Sequence, residues 1–228
     1  MADAPKLDGP RLAPASGKAK NLVVFLHGYG ADGNDLIEIG RAWQSLLRDT
    51  AFVSPHAPNP CGQAPVGREW FPLTMREPSE RWIGVNSAAP VLNAFLDAEL
   101  ARHGLPGSAL ALVGFSQGTM MSLHVGLRRA IAPAAIVGYS GMLVTPDDDA
   151  ALDKFAEEIV ARPPVLLIHG DQDQLIPVQA LLHAAQGLAS LDIPVQWHIS
   201  PGVGHGIDQE GLRHGGEFLV RSLPKTMA

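Results

Sequence analysis

A serine with the surroundings of a nucleophile lies near the middle of the chain. Residues 109–113 are small or aliphatic, and the segment Gly114–Gly118 that follows fits the pattern Gly-x-Ser-x-Gly, with Ser116 at its centre. A buried strand followed by this pattern is typical of a nucleophile elbow, a sharp strand-to-helix turn that exposes a serine hydroxyl. Residues 117–130, with one mostly apolar face, predict the helix after the turn. We therefore expect Ser116 to be a catalytic nucleophile.

The serine needs a base, and one histidine is placed to act as one. A serine hydroxyl becomes nucleophilic at neutral pH when a histidine takes its proton, and in chains with this elbow the histidine comes last. His183 and His214 fall within predicted helices, and His198 falls within a predicted strand. His205 follows the predicted strand at 195–199, on a glycine-rich loop before the final predicted helix. The sequence therefore predicts His205 as the base.

The histidine in turn needs a carboxylate, which fixes its tautomer and stabilises its charged form. The acid should lie just beyond a strand that follows the serine. The buried run at 165–168 predicts such a strand, and Asp171 and Asp173 both follow it. One of the two suits a turn or a helix cap. On this reasoning alone both remain candidates.

Backbone N–H groups are expected to stabilise the oxyanion that forms on the attacked carbonyl. One should belong to Gln117, the residue after the serine, at the N-terminus of its helix. The other should come from a loop after an early strand, which here follows the predicted strand at 21–27. We choose the backbone N–H of Tyr29.

The loop that contains Tyr29 also permits a different interpretation. Gly28–Gly33 fits Gly-x-Gly-x-x-Gly, the fingerprint of dinucleotide-binding oxidoreductases, which also needs an acid about 20 residues further on. The next predicted strand ends in Ser54-Pro55-His56, without a carboxylate. The sequence therefore argues against a nucleotide cofactor. It also lacks His-Glu-x-x-His, and His198 and His205 lack the spacing of a helical ligand pair, so no metal is predicted.

The order of predicted elements gives the fold class. Strands alternate with helices along the chain, which indicates one α/β domain over residues 1–228 with a mostly parallel sheet covered on both faces. Helices are predicted at 86–102 and 147–161, among others. Residues 56–85 show no periodicity and hold several prolines, which predicts a long, lid-like loop.

Composition excludes several classes of protein. Hydrophobic residues make up 46% of the chain and charged residues 18%, as in folded globular proteins. The net charge of −6 argues against a nucleic-acid partner, and the single cysteine, Cys61, excludes an intrachain disulfide. The N-terminus shows no secretion signal, and the apolar runs are too short for stable membrane insertion. We expect a cytoplasmic protein.

Five segments together resemble the carboxylesterase and acyl-protein thioesterase family of α/β-hydrolases, also called the phospholipase/carboxylesterase family. They are Phe25–Gly30, Gly114–Gly118, Tyr139–Gly141, His169–Pro177 and Gly204–His205. With the strand at 21 and the final helix, the resemblance covers nearly the whole chain. Between Cys61 and Trp82 the match is loose apart from one aromatic pair.

The resemblance implies an α/β-hydrolase fold and a complete catalytic site. The triad would be Ser116, Asp173 and His205, which favours Asp173 over Asp171 as the acid. Tyr29 and Gln117 would give the oxyanion N–H groups. It also implies a small-molecule ester, thioester or lysophospholipid substrate, no cofactor, and in many members a homodimer.

The acyl group of the substrate needs an apolar wall, for which the sequence offers four candidates. They are Trp70, Phe71, Met142 and Ile176. We expect carboxylic esters of short to medium acyl chains. The alternatives are another hydrolase on this scaffold, such as a lactone or peptide hydrolase, and a non-catalytic binding protein. The latter class normally lacks a triad member.

Overall fold

One seven-stranded sheet forms the centre of the protein. The computed structural model describes residues 6–62, 64, 66–74, 77, 79–146 and 155–224. The strands, in their order across the sheet, are β1 (Arg11–Leu12), β3 (Thr50–Val53), β2 (Asn21–Leu26), β6 (Leu110–Phe115), β7 (Ala135–Tyr139), β8 (Val165–Gly170) and β9 (Val195–Ser200). Only β1 runs antiparallel to its neighbour in this sheet, and all other neighbours are parallel. The predicted, mostly parallel sheet is confirmed.

Helices cover both faces of the sheet. The longer ones are α1 (Gly33–Trp43), α2 (Ser79–His103), α3 (Gln117–Gly126), α4 (Gln179–Ser190) and α5 (Gln209–Ser222). Side chains of β2 alternate between the faces: Leu22 and Val24 pack with α2 and α3, whereas Val23 and Phe25 pack with α1 and α5. This two-sided burial explains why β2 is apolar from Leu22 to Leu26. Within the described part of the chain, no helix has the length and apolar character needed to cross a bilayer.

The segment 56–85 has more regular structure than predicted. A short antiparallel hairpin pairs β4 (Asn59–Pro60) with β5 (Arg68–Glu69), and α2 begins at Ser79 instead of Asn86. The first turns of α2 were not predicted because the buried position at 84 is a glycine and not an apolar side chain, which interrupts the helical pattern. Gly84 lies against the ring of Phe71, where a Cβ atom would overlap the ring atoms. A role as a lid stays a prediction.

The predicted helix at 147–161 can be assessed only in part. Residues 155–158 are helical, whereas residues 159–161 are not, so the helix ends earlier than predicted. Residues 147–154 lie outside the described ranges. Phe155 and Ile159 are buried against strands β7 and β8 through Ile136, Val165 and Leu167. The end of the predicted helix therefore covers the sheet.

A buried histidine on α3 should make the protein acid-sensitive. Burial, aided by the charge of Arg128, lowers the pKa of His124 to about 3. The unfolded chain would protonate this ring near pH 6.5. The contribution of the neutral ring to the free energy of unfolding is therefore fully present above that pH and is lost as the pH falls towards 3. We expect this histidine to cost about 2 kcal/mol of unfolding free energy between pH 7 and pH 5.

Urea unfolding of wild type and His124→Gln at both pH values measures this effect. The difference in unfolding free energy between pH 7 and pH 5 should shrink by about 2 kcal/mol in the variant. His183→Gln, which changes an exposed histidine on α4, should leave the difference as in wild type. An unchanged difference in His124→Gln would contradict the assignment.

Candidate active site

Ser116 lies at a strained turn between β6 and α3. Its backbone has φ 53° and ψ −116°, a conformation that side chains rarely adopt. The glycines on either side are required by space: a Cβ atom on Gly114 would overlap the backbone of Gly118, and one on Gly118 would overlap the carbonyl oxygen of Leu26. The N–H of Ser116 donates to the Tyr139 oxygen at 2.9 Å, which holds the turn against β7. The local geometry is that of a nucleophile elbow.

The buried Asp173 forms a hydrogen-bonded pair with the partly exposed His205. The distance from Nδ1 of His205 to Oδ2 of Asp173 is 2.7 Å, and Oδ1 of Asp173 accepts the N–H groups of Leu175 and Ile176, each at 2.9 Å. Burial opposes ionisation of Asp173, but the hydrogen bonds from Ile176, His205 and Leu175 outweigh it and lower its pKa. An ionised carboxylate can only accept, so Nδ1 of His205 carries the proton and Nε2 is free to act as a base.

The other acid candidate, Asp171, has a different environment. It is exposed, and its Oδ1 accepts the N–H of Gly202 at 2.7 Å. This contact ties the turn after β8 to the start of the loop that carries His205. Asp171 therefore has the geometry of a turn residue.

Two further side chains fix the orientation of the pair. The ring of Phe115 packs on the ring of His205, with centroids 4.9 Å apart. Nε2 of the buried His169 lies 2.8 Å from the carbonyl oxygen of Ile176 and 3.2 Å from Oδ2 of Asp173. Because that carbonyl oxygen can only accept, Nε2 of His169 carries a proton and donates to the Ile176 oxygen, with the carboxylate of Asp173 next to it. This role of Phe115 was not predicted from the sequence.

Four of the predicted catalytic and oxyanion residues line one cavity of about 520 Å³: Tyr29, Ser116, Gln117 and His205. This volume is in the range of small-molecule sites. The rest of the wall is mainly apolar, with two charged side chains, and consists of Gly28, Ala31, Asp35, Leu36, Leu73, Arg81, Phe115, Met120, Met142, Leu175, Ile176 and Pro177. Of the four candidates for the acyl wall, Met142 and Ile176 are among these residues.

Trp70 and Phe71, the other two candidates, lie elsewhere. Both side chains are buried in the core, and neither is among the described residues that line the cavity. The N–H of Trp70 donates to Oε1 of Gln117 at 2.9 Å, and Nε2 of Gln117 donates to the Phe71 oxygen at 2.8 Å. The backbone groups of Trp70 and Phe71 thus fix the side chain of Gln117 by two hydrogen bonds. Nothing in the sequence of this loop distinguishes an aromatic residue that lines the cavity from one that is buried in the core.

The two expected oxyanion donors are held by their surroundings. Gln117 is the first residue of α3, where a backbone N–H has no partner within the helix. The loop that carries Tyr29 is clasped by the hairpin: the N–H of Gly30 donates to the Arg68 oxygen at 3.0 Å, and the N–H of Arg68 donates to the Ala31 oxygen at 2.8 Å. Both donors thus belong to segments fixed before substrate binds.

His27, at the end of β2, supports the same loop. Its Nε2 accepts the N–H of Ala57 at 3.0 Å, so Nδ1 carries the proton and donates to the Gly28 oxygen at 2.8 Å. Burial lowers the pKa of this ring, which keeps it neutral. His27 and His169 therefore both have packing and positioning contacts.

Some cavity residues went unrecognised in the sequence because periodicity assigns them to the core. Leu36 and Met120 are both buried in helices and also contribute to the cavity wall. Leu175 lies between Asp173 and Ile176, so its place in the motif is a signal that could have found it.

The chain is similar to a known protein family and to members of it. A family model described as phospholipase/carboxylesterase matches residues 7–223. Among curated relatives, acyl-protein thioesterase 1 of Gibberella zeae is 27% identical over 94% of this chain and 96% of its own length. Esterase YpfH of Escherichia coli K12 is 26% identical over 91% of this chain and 85% of its own length.

Solved structures similar to this chain include an esterase and a member of this family. The crystal structure of esterase PE8 is 47% identical, covers 96% of this chain and 100% of its own, and has a TM-score of 0.90. A phospholipase/carboxylesterase from Dyadobacter fermentans, at 22% identity, covers 94% and 97% with a TM-score of 0.75, which bears on the fold alone. The α/β-hydrolase fold and the hydrolase class expected from the sequence are confirmed.

Proposed function

This chain belongs to the phospholipase/carboxylesterase family, and we propose that it hydrolyses carboxylic esters of short to medium acyl chains through an acyl-enzyme on Ser116. One observation carries the proposal. The histidine that is hydrogen-bonded to Asp173, His205, shares one cavity with the serine at the elbow. This is the arrangement that nucleophilic acyl transfer requires.

The chemistry follows from the positions of the groups. Nε2 of His205 takes the proton of Ser116, whose Oγ attacks the ester carbonyl, and the N–H groups of Tyr29 and Gln117 stabilise the oxyanion. The tetrahedral intermediate collapses, and the alcohol leaves with the proton from His205. Water then attacks the acyl-enzyme by the same route and releases the acid. Asp173 stays ionised throughout.

The cavity and the relatives support an ester with an apolar acyl group. Side chains such as Met120, Met142 and Ile176 offer an apolar wall next to Ser116. The structure at 47% identity is that of an esterase, whereas the acyl-protein thioesterase from Gibberella zeae is 27% identical. Esters are therefore our first choice and thioesters the second.

A substrate panel tests the proposal. Initial rates would be measured with p-nitrophenyl esters of two to twelve acyl carbons, with thioesters of the same acyl groups, and with a lactone and a peptide. We expect the highest kcat/KM with an ester of short to medium chain. A preference for thioesters at equal acyl length would favour the second choice, and turnover of the lactone or peptide alone would overturn both.

The acyl wall makes a separate prediction at Met142. Met142→Ala should enlarge the cavity and raise kcat/KM for longer esters relative to shorter ones, by about fourfold for each additional methylene that becomes buried. Leu143→Ala is the matched control, because its side chain packs into another cluster and is not among the described lining residues. An equal shift in both variants would show that Met142 does not contact the acyl group.

A further inference from the structure

Three side chains that could ligate a metal converge on the outer edge of the sheet. His198 comes from β9, and Glu210 and His214 lie one turn apart on α5. One ligand atom from each lies within 4.8 Å of the other two. The two imidazole rings have centroids 4.4 Å apart, and Nε2 of His214 is 3.6 Å from Oε1 of Glu210. The cluster was not visible in the sequence, because the strand and the helix meet only in the folded chain.

The contacts within the described part of the chain leave one of these groups unsatisfied. Nε2 of His198 is buried and has no hydrogen-bond partner among the described residues. A buried polar atom without a partner costs free energy, and most such atoms in folded proteins are paired. A packed pair of histidines beside a helical ion pair would account for the ring contact, but it leaves this nitrogen unpaired.

We propose that His198, Glu210 and His214 bind a divalent transition metal of the Zn²⁺ type, with water completing the coordination. Two imidazoles and one carboxylate form a ligand set that suits Zn²⁺. A tetrahedral site with bonds of about 2.0–2.1 Å places its ligand atoms about 3.3 Å apart. The side chains of Glu210 and His214 are 54% and 30% exposed, so they are free to close the remaining distance.

A neighbouring cation sets the condition for binding. The guanidinium group of Arg213 lies 3.7 Å from Glu210 and 3.5 Å from Nε2 of His214, so a metal must displace it from both. Arg213 also pairs with Glu217 at 2.8 Å, and this second partner can hold it away from the cluster. The metal replaces a weak, solvent-exposed ion pair.

The site would join the two ends of the loop that carries His205. This loop runs from the end of β9 at Ser200 to the start of α5 at Gln209. None of the three ligands is among the described residues that line the catalytic cavity, so the metal takes no part in hydrolysis. A metal that binds only the folded chain stabilises it by mass action. We therefore expect a structural site.

Metal binding can be measured directly on the full chain, without a polyhistidine tag. Calorimetric titration with Zn²⁺ after treatment with chelator should show one saturable site, and Co²⁺ should give visible absorption bands at the same stoichiometry. Mutation of a residue that only hydrogen-bonds to a metal ligand typically lowers metal affinity by about 10–100-fold. His214→Ala and Glu210→Gln should therefore weaken binding by about 100-fold or more.

Two controls keep the proposal falsifiable. His183→Ala removes an exposed histidine from α4 and should bind Zn²⁺ as wild type does. Zn²⁺ should also raise the melting temperature of wild type and of His183→Ala, but not that of His214→Ala. Absence of saturable binding to wild type, or unchanged affinity in His214→Ala, would overturn the proposal. Ser116→Ala should bind Zn²⁺ as wild type does. The metal proposal can therefore be tested independently of the proposed esterase activity, and failure of one would not decide the other.

Discussion

Ser116→Ala should reduce kcat for p-nitrophenyl esters by about 10⁴- to 10⁶-fold. In the proposed mechanism the serine hydroxyl forms the covalent intermediate, and alanine has no group to replace it. Nothing else at the elbow should change, because alanine fills the same backbone position without a new contact. The remaining rate would come from the oxyanion donors and the cavity. Steady-state kinetics with a purified, folded variant measures the loss.

A serine on the helix that follows the elbow, α3, provides the matched control. Ser122 is buried, and its Oγ donates to the Gly118 oxygen at 2.8 Å. Neither residue is among those described as lining the cavity. Ser122→Ala should keep kcat within a few-fold of wild type. A fluorophosphonate probe should label wild type and Ser122→Ala at Ser116 and leave Ser116→Ala unmodified. Full activity in Ser116→Ala would exclude this serine as the nucleophile.

Asp173→Asn should lower kcat by about 10⁴-fold, although the side chain keeps its shape. In wild type the ionised carboxylate accepts the proton of Nδ1 of His205, which leaves Nε2 unprotonated. The amide group of asparagine can donate to Nδ1 and so favours the tautomer in which Nε2 carries the proton. Nε2 then cannot accept a proton from Ser116. The loss should appear in kcat, with a smaller effect on KM.

Asp171→Asn is the control for this prediction, since it makes the same chemical change on the same loop. Asp171 is exposed and accepts only one backbone N–H among the described hydrogen bonds, a role that an asparagine oxygen can also fill. We expect activity within a few-fold of wild type. If Asp171→Asn were the inactive variant and Asp173→Asn the active one, the acid of the triad would be wrongly assigned.

The sequence was most informative where local geometry demands particular residue types. The elbow needs glycines at 114 and 118 because any side chain there would overlap backbone atoms. The run of apolar residues in β2 is required because this strand is buried on both faces. Such demands act on neighbouring residues, so they leave a pattern that can be read along the chain.

Residues that meet across the fold leave weaker patterns. Both Asp171 and Asp173 follow β8, and the residues alone left the choice open until a family resemblance favoured Asp173. In the folded chain Asp173 points to His205, while Asp171 caps a turn. The two side chains point to different partners only because the turn after β8 is folded, so the sequence by itself does not distinguish them.

Sequence by itself thus determined the mostly parallel α/β sheet, the elbow and the loop that carries the histidine. Only the tertiary structure decided that Trp70 and Phe71 hold Gln117 from behind, that Met120 serves both core and cavity, and that His198 meets His214. The physical reason is the range of the constraint. Strand and helix patterns record burial over a few neighbouring residues, whereas a cavity or a ligand cluster depends on how distant elements pack.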